Sequence, residues 1–381
     1  MKKILFAIAA VAVLLLLTTC MFYEQPPEPV PTPVPTASPM PAPTPSEKTM
    51  TAEDILEGMS LEEKAAQLLI VSCHAYGSAE RASEFGVGAL CLYGFDFEGK
   101  TPDEVIAMNE HLQSLASMPM IISTDEEGGS VHRISSNPQL YFETFRSPGE
   151  LRMANGFTSA AIDTRAKCVL MEKLGLNANL APVCDVPLKS TDYISERSFS
   201  MDYEEAAEYI TVVISTMQDY KVGSVLKHFP GYGGSTDTHE GMSVDTRPLS
   251  DFKNGDLLPF IAGIEAGADA VMVSHNIAQC MDDFYPASLS PEVHRLLRED
   301  LGFDGVIMTD DLAMGAILRF AEGKNMVVQA ILSGNDMACC SNFEESVQAI
   351  VAAVNDGTLT EAQINESVLR VLNWKIKLGL I

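Results

Sequence analysis

From residue 51 onward the chain alternates short apolar runs with longer stretches whose apolar residues recur every three or four positions. The runs have strand length and the stretches have helical period, which is the signature of repeated βα units around a parallel sheet. Eight runs qualify, at 68–73, 88–93, 120–124, 179–186, 223–227, 270–274, 305–309 and 336–340. Helices are expected between them at 102–117, 203–219, 256–266 and 291–300, and two more at 342–355 and 360–378 complete an outer ring. Ser60-Leu61-Glu62-Glu63 has the capping-box pattern of a helix start, so ordered structure is expected to begin near Thr51. Eight such units favour a closed α/β barrel of the TIM (β/α)8 type over an open sheet, and 51–381 is read as one such domain.

Where the apolar runs stop, the chain turns polar. Five of the ends carry titratable groups: Asp125, Asp185, Lys227 with His228, His275, and Asp310 with Asp311. In a barrel these ends converge on the C-terminal mouth, where active sites are built. One polar strand end is most often a solvated loop start; five together point to a site.

Composition changes the picture at the amino terminus. Lys2 and Lys3 precede fourteen unbroken apolar residues, Ile4 to Leu17, short for a membrane span and suited to a signal peptide. Leu17-Thr18-Thr19-Cys20 looks like a lipoprotein cleavage box, so 1–20 is read as an export signal with Cys20 as a candidate lipid anchor. The expected location is the cell surface, as a lipoprotein, or the medium, as a secreted protein. Residues 26–45 hold ten of the 21 prolines, a composition that favours extended polyproline II, and 21–50 is read as a disordered linker.

With 25 Lys and Arg against 52 Asp and Glu, the net charge is −27, which repels nucleic acid and anionic membrane surfaces. A small neutral or zwitterionic ligand is the expected partner, membrane contact is expected only through Cys20, and the chain is expected to act as a monomer. The eight cysteines include no C-x-x-C pair, and most sit inside apolar runs, so they read as core residues. Neither a metal nor a cofactor is expected.

Three stretches carry candidate chemistry. Lys227-His228-Phe229-Pro230-Gly231-Tyr232-Gly233 delivers a cation and an imidazole to the mouth, and the Gly-rich loop beyond it carries Asp237 and His239. Asp237 can orient His239 and stabilise its charged form, giving a mobile acid/base; the bland alternative is a surface loop with an incidental histidine. Gly305 to Asp311 ends a buried run in two carboxylates, either a nucleophile or a helix N-cap pair. Asp125-Glu126-Glu127-Gly128-Gly129 is either a solvated acidic face or a ligand-contacting turn whose glycines admit close approach.

Together these stretches resemble glycoside hydrolase family 3, in particular its single-domain β-N-acetylhexosaminidases. The likeness runs from about Met59 to Leu380 and includes Glu196-Arg197-Ser198-Phe199, Pro286-Ala287-Ser288-Leu289-Ser290 and Thr309-Asp310. It implies a TIM barrel and metal-free retaining removal of a terminal sugar, with Asp310 as nucleophile, His239 as general acid/base and Asp237 as its partner. It further implies that Asp125, Arg133, Arg197, Lys227 and His228 hold the sugar's hydroxyls. On the residues alone Asp311 rivals Asp310; the family pattern selects Asp310. The sequence departs from the pattern at Tyr232, where the motif has a second histidine, at Ser130 and His132, and in a loop one residue shorter before Asp237.

The leading expectation is an exported exo-β-N-acetylglucosaminidase acting on amino-sugar glycosides such as peptidoglycan fragments. Little chain remains for the second domain of many β-glucosidases in the family, which also points to the amino-sugar branch. The alternatives are a phosphorylase of the same glycosides or another family β-glycosidase, a non-catalytic lipid-anchored sugar-binding protein, and an aldolase-type barrel with Lys227 as Schiff-base amine. A metal-dependent hydrolase built on His74, His239 and Asp310 lacks the usual ligand spacing.

Overall fold

The computed structural model describes residues 50–234, 241–321 and 325–381. Every one of the eight apolar runs holds a strand: β1 (Leu69–Ser72), β2 (Ala89–Leu92), β3 (Ile121–Thr124), β4 (Ala178–Asn179), β5 (Gly223–Phe229), β6 (Ala270–Val273), β7 (Val306–Asp311) and β8 (Met337–Cys340). Each pairs in parallel with its neighbours in chain order, and β8 returns to β1 through Leu69 opposite Ala338, so the barrel is closed. The runs are continuous rather than alternating because these strands are buried on both faces, by the barrel interior and by the helices outside. The cysteines at 73, 91, 168, 184, 339 and 340 are buried free thiols, as expected of core residues.

Two expected elements differ in detail. Of the run at 179–186 only Asn179 joins the regular ladder, in the short strand Ala178–Asn179, and Pro182 has no N–H to donate to a continuation. The segment still follows β5, with Val225 N–H donating to the Ala181 carbonyl at 2.9 Å and Cys184 N–H to the Lys227 carbonyl at 2.6 Å. That path carries Asp185 to His228. The stretch 291–300 is α-helical over Pro291–Arg295 and then widens into a π turn over Leu296–Asp300. Helices at Pro102–Leu115, Tyr203–Asp219, Leu257–Glu265, Phe343–Asn355 and Glu361–Lys377 stand where periodicity placed them. Ser60 and Glu63 form the reciprocal cap anticipated from their spacing.

Helix Glu361–Lys377 closes the N-terminal end of the barrel. Its Trp374 ring lies so close to the start of β5 that a side chain at Gly223 would sit 2.9 Å from it. The next residue, Lys375, is fully buried and donates to Gln67 Oε1 at 2.5 Å. Burial pushes its ammonium down from the ordinary 10.5 to about 7. Between those values the unfolded chain holds a proton that the folded chain has released, so this group makes stability rise with pH across that window. Below about 7 both states are charged and the burial cost is complete. Lys375→Met should therefore raise Tm by several degrees at pH 6 and by less at pH 10, read from thermal melts; equal gains at both pH values would contradict the buried-charge account.

Candidate active site

The C-terminal ends of the strands surround a cavity of about 520 Å³, within the range of about 300–1,000 Å³ typical of small-molecule sites. Asp125, Arg133, Arg197, Lys227, His228 and Asp310 all line it. They arrive from the ends of β3, β5 and β7 and from the loops after β3 and β4, so residues separated by up to half the chain meet at one mouth. Asp237 and His239 lie outside the described residues.

The deepest cation is Lys227, 2% exposed. Its Nζ is 2.6 Å from Asp125 Oδ1 and 2.6 Å from Glu127 Oε1. Arg197 grips the same Glu127 with two bonds, Nε to Oε2 at 2.9 Å and Nη2 to Oε1 at 2.8 Å. Burial alone would raise the Glu127 carboxyl, but the Lys227 and Arg197 charges outweigh it and hold the group well below the usual carboxylate range. Burial likewise disfavours the Lys227 ammonium, and Asp125 and Glu127 reverse that, so its pKa rises. Glu127, Lys227 and Arg197 therefore stay charged at neutral pH and, with Asp125, form a set of donors and acceptors suited to hydroxyl groups. Arg133 stands at the rim of the set, 3.9 Å from Asp125 and with its guanidinium 5.8 Å from the centre of the Tyr93 ring.

His228 is oriented by Asp185. Asp185 Oδ2 is 2.7 Å from His228 Nδ1 and accepts the His228 backbone N–H, while Oδ1 accepts the Tyr232 N–H at 2.7 Å. Arg197 Nη2 lies 3.2 Å from Nε2. Because a guanidinium only donates, these contacts assign Nε2 as acceptor and put the ring proton on Nδ1. Just beyond, Gly231 has a φ of 119°, and a Cβ there would meet Asp256 at 2.8 Å, so the turn requires glycine.

The two carboxylates ending β7 differ in their settings. Asp311 Oδ2 accepts from Ser72 Oγ at 2.7 Å and lies 2.9 Å from His74 Nε2, while Oδ1 accepts the Ala313 N–H at 2.9 Å. Its carbonyl is 2.9 Å from Nε2 of His275, whose Nδ1 meets Ser288. Asp311 is thus a brace between β1 and β7. Asp310 and Asp311 both line the cavity, and Asp310 Oδ1 accepts the Asp311 N–H at 2.8 Å.

The acidic run at 125–127 is no solvated face. Asp125 and Glu127 bind Lys227, and the buried Glu126 accepts the N–H groups of Arg133 and Ile134 at 2.9 and 2.6 Å, pinning the loop that presents Arg133. The part played by Glu127, and the grouping of Ser72, His74 and Tyr93 beside Asp311, went unassigned in the sequence. Among the described residues no group of three or more His, Cys, Asp or Glu is arranged to hold a metal ion.

A parallel barrel with charged groups at its C-terminal mouth defines a sugar-processing class once the chain is set beside known proteins. The model of the glycosyl hydrolase family 3 N-terminal domain matches residues 60–374, and the chain belongs to that family and is a glycoside hydrolase. It is 33% identical to beta-hexosaminidase LpqI of Mycobacterium tuberculosis over 330 residues, 83% of each chain. Its fold matches the solved family 3 β-N-acetylglucosaminidase of a Paenibacillus species with a TM-score of 0.78 at 29% identity, covering 84% of this chain and 63% of that one. It matches the solved M. tuberculosis LpqI with a TM-score of 0.77 at 28% identity, covering 86% and 96%.

Proposed function

We propose that the protein is an exported, retaining exo-β-N-acetylhexosaminidase. It removes non-reducing terminal N-acetylglucosamine from amino-sugar glycosides such as peptidoglycan fragments. The observation that carries this reading is the meeting of Asp310 with Asp125, Arg133, Arg197, Lys227 and His228 in one cavity, in a chain whose relatives bear hexosaminidase names. Export rests on the signal-like segment 1–20, with the Pro-rich 21–50 as spacer and Cys20 as the anchor if lipid is attached.

In the mechanism, the Asp125, Arg197, Lys227 and His228 groups hold the hydroxyls of the terminal sugar. The Asp310 carboxylate attacks the anomeric carbon while the glycosidic C–O bond breaks and His239, oriented by Asp237, gives its proton to the leaving oxygen. His239 then removes a proton from water as that water attacks the anomeric carbon, releasing Asp310 and a sugar of unchanged anomeric configuration. The buried charges suit this path because they are fixed before substrate arrives and need little reorganisation.

The test is a panel of 4-nitrophenyl β-glycosides with the full chain. The N-acetylglucosaminide should be turned over at least tenfold better by kcat/KM than the glucoside or xyloside, with no stimulation by phosphate. Strong phosphate stimulation would make the enzyme a phosphorylase. A faster glucoside would remove the amino-sugar assignment, and an inert panel would favour a sugar-binding protein.

A further inference from the structure

Two strands reach the mouth with one residue more than their neighbours. On β7, Met308 stands opposite Met337 of β8 and Asp311 opposite Cys339, three steps against two. On β5, Leu226 stands opposite Val271 of β6 and Phe229 opposite Val273, again three against two. Successive side chains of a regular strand face opposite ways, yet Lys227 and His228, and likewise Asp310 and Asp311, all line the cavity. The extra residue is a β-bulge, which breaks the ladder locally and re-aims a side chain. The β5 bulge is held by Asp185, which accepts the backbone N–H groups of His228 and Tyr232. Around the β7 bulge two side chains take the place of ladder bonds. Thr309 Oγ1 accepts the Cys339 N–H at 2.9 Å. On the other side the ladder to β6 ends with Thr309 opposite Val273, and beyond it His275 Nε2 stands 2.9 Å from the Asp311 carbonyl.

We propose that His275 is a positioning residue for the nucleophile: its Nε2–H, oriented by Ser288, pins the bulge that sets Asp310 against the anomeric carbon. The inference rests on the proposed reading of Asp310 and names what aims it. His275 follows β6 by two residues, is fully buried and takes part in none of the steps above. The Asp311 carbonyl only accepts, so Nε2 carries a proton, and Nδ1 of the neutral ring accepts the Ser288 hydroxyl 2.7 Å away. Ser288 is itself fixed, since its N–H donates to the Ser274 carbonyl at 2.9 Å and its carbonyl accepts from Asn335 Nδ2 at 2.8 Å. This chain of bonds ends one residue beyond Asp310. A carboxylate on a bulge is aimed less by the ladder than by whatever holds the residues on either side, and a misplacement of about 1 Å can cost roughly 100-fold in rate. The groups that hold the sugar are anchored elsewhere, Lys227 and Arg197 by Glu127 and His228 by Asp185. Aim of the nucleophile and grip on the sugar are therefore separable.

The experiment uses the full chain on 4-nitrophenyl N-acetyl-β-glucosaminide, with N-acetylglucosamine as competing product. His275→Met keeps the volume and removes the donor, whereas His275→Gln puts an amide N–H where Nε2 stood. The methionine variant should lose about 10- to 100-fold in kcat and in kcat/KM alike, with KM and the Ki of N-acetylglucosamine within about threefold of wild type. The glutamine variant should regain most of that loss, which packing alone would not produce. Ser288→Ala keeps the ring and should show the same split on a smaller scale, a loss of about threefold or more in kcat, and it decides the question if the methionine variant does not fold. Full kcat in the methionine variant or in Ser288→Ala, a glutamine variant no better than methionine, or losses of kcat and Ki in step would each overturn the positioning role. A wild-type chain inert on this substrate, or an Asp310→Ala variant as active as wild type, instead ends the reading of Asp310 as nucleophile, and the positioning role goes with it.

Discussion

Asp310→Ala should yield a folded protein whose turnover of an N-acetyl-β-glucosaminide falls roughly 10,000-fold or more. The side chain lines the cavity at the end of β7, where the proposed mechanism makes it the nucleophile. Asp311→Ala should behave differently. Asp311 holds β7 to β1 through Ser72 and His74 and caps the turn at Ala313, so its loss should lower Tm while leaving measurable turnover. Steady-state rates and thermal melts on the two variants separate the roles. Equal loss of activity in both, with unchanged stability, would contradict the assignment.

Lys227→Met should damage both stability and activity. The substitution fills similar space but removes the cation that sits 2.6 Å from each of two carboxylates. Breaking a buried pair by removing one partner costs up to about 3–5 kcal/mol where the other charge is left without compensation, and less here, because Arg197 still grips Glu127. Loss of one positioned charged donor from a site typically costs about 100- to 1,000-fold in rate. The pH dependence follows from Glu127. In the wild type its depressed pKa contributes stability that is present above the ordinary value of 4.5 and is lost as pH falls through the lower, folded value. Without Lys227 the Glu127 carboxyl moves upward, and acid then relieves the variant by protonating it. The gap in Tm between wild type and variant should be narrower at pH 5 than at pH 8. A constant gap, or one near zero, would show that the cluster is not electrostatically coupled as described.

The barrel was legible because its strands are continuous apolar runs, a local pattern that needs no knowledge of partners. The 27-residue helix Pro148–Leu174 was not among the expected elements, and its pattern explains why: Asn155 and Gly156 break the helical geometry, and its buried face includes the polar Thr164 and Lys167. In the site, Asp125, Lys227, His228 and Asp310 announced themselves as titratable groups at strand ends, and the family likeness added Arg133 and Arg197. Glu127 was visible only as part of an acidic run, since its partners stand 70 and 100 residues away by sequence at Arg197 and Lys227. Ser72 gave no signal at the end of β1 because a hydroxyl is not titratable. Its bond to Asp311 spans 239 residues and exists only once the barrel closes. His74 was weighed only as a metal ligand, whereas its described partners are Ser72, Tyr93 and Asp311.

The central claim is that Asp310 forms the glycosyl bond. It is tested most directly by trapping the intermediate with a slow substrate, the 5-fluoro derivative of N-acetylglucosaminyl fluoride, followed by mass spectrometry of the intact chain and of its peptides. The account predicts one added sugar per chain, on the Asp310 carboxylate, with the adduct absent from Asp310→Ala. An adduct on Asp311 or His74, or steady turnover with inverted anomeric configuration and no adduct, would contradict it.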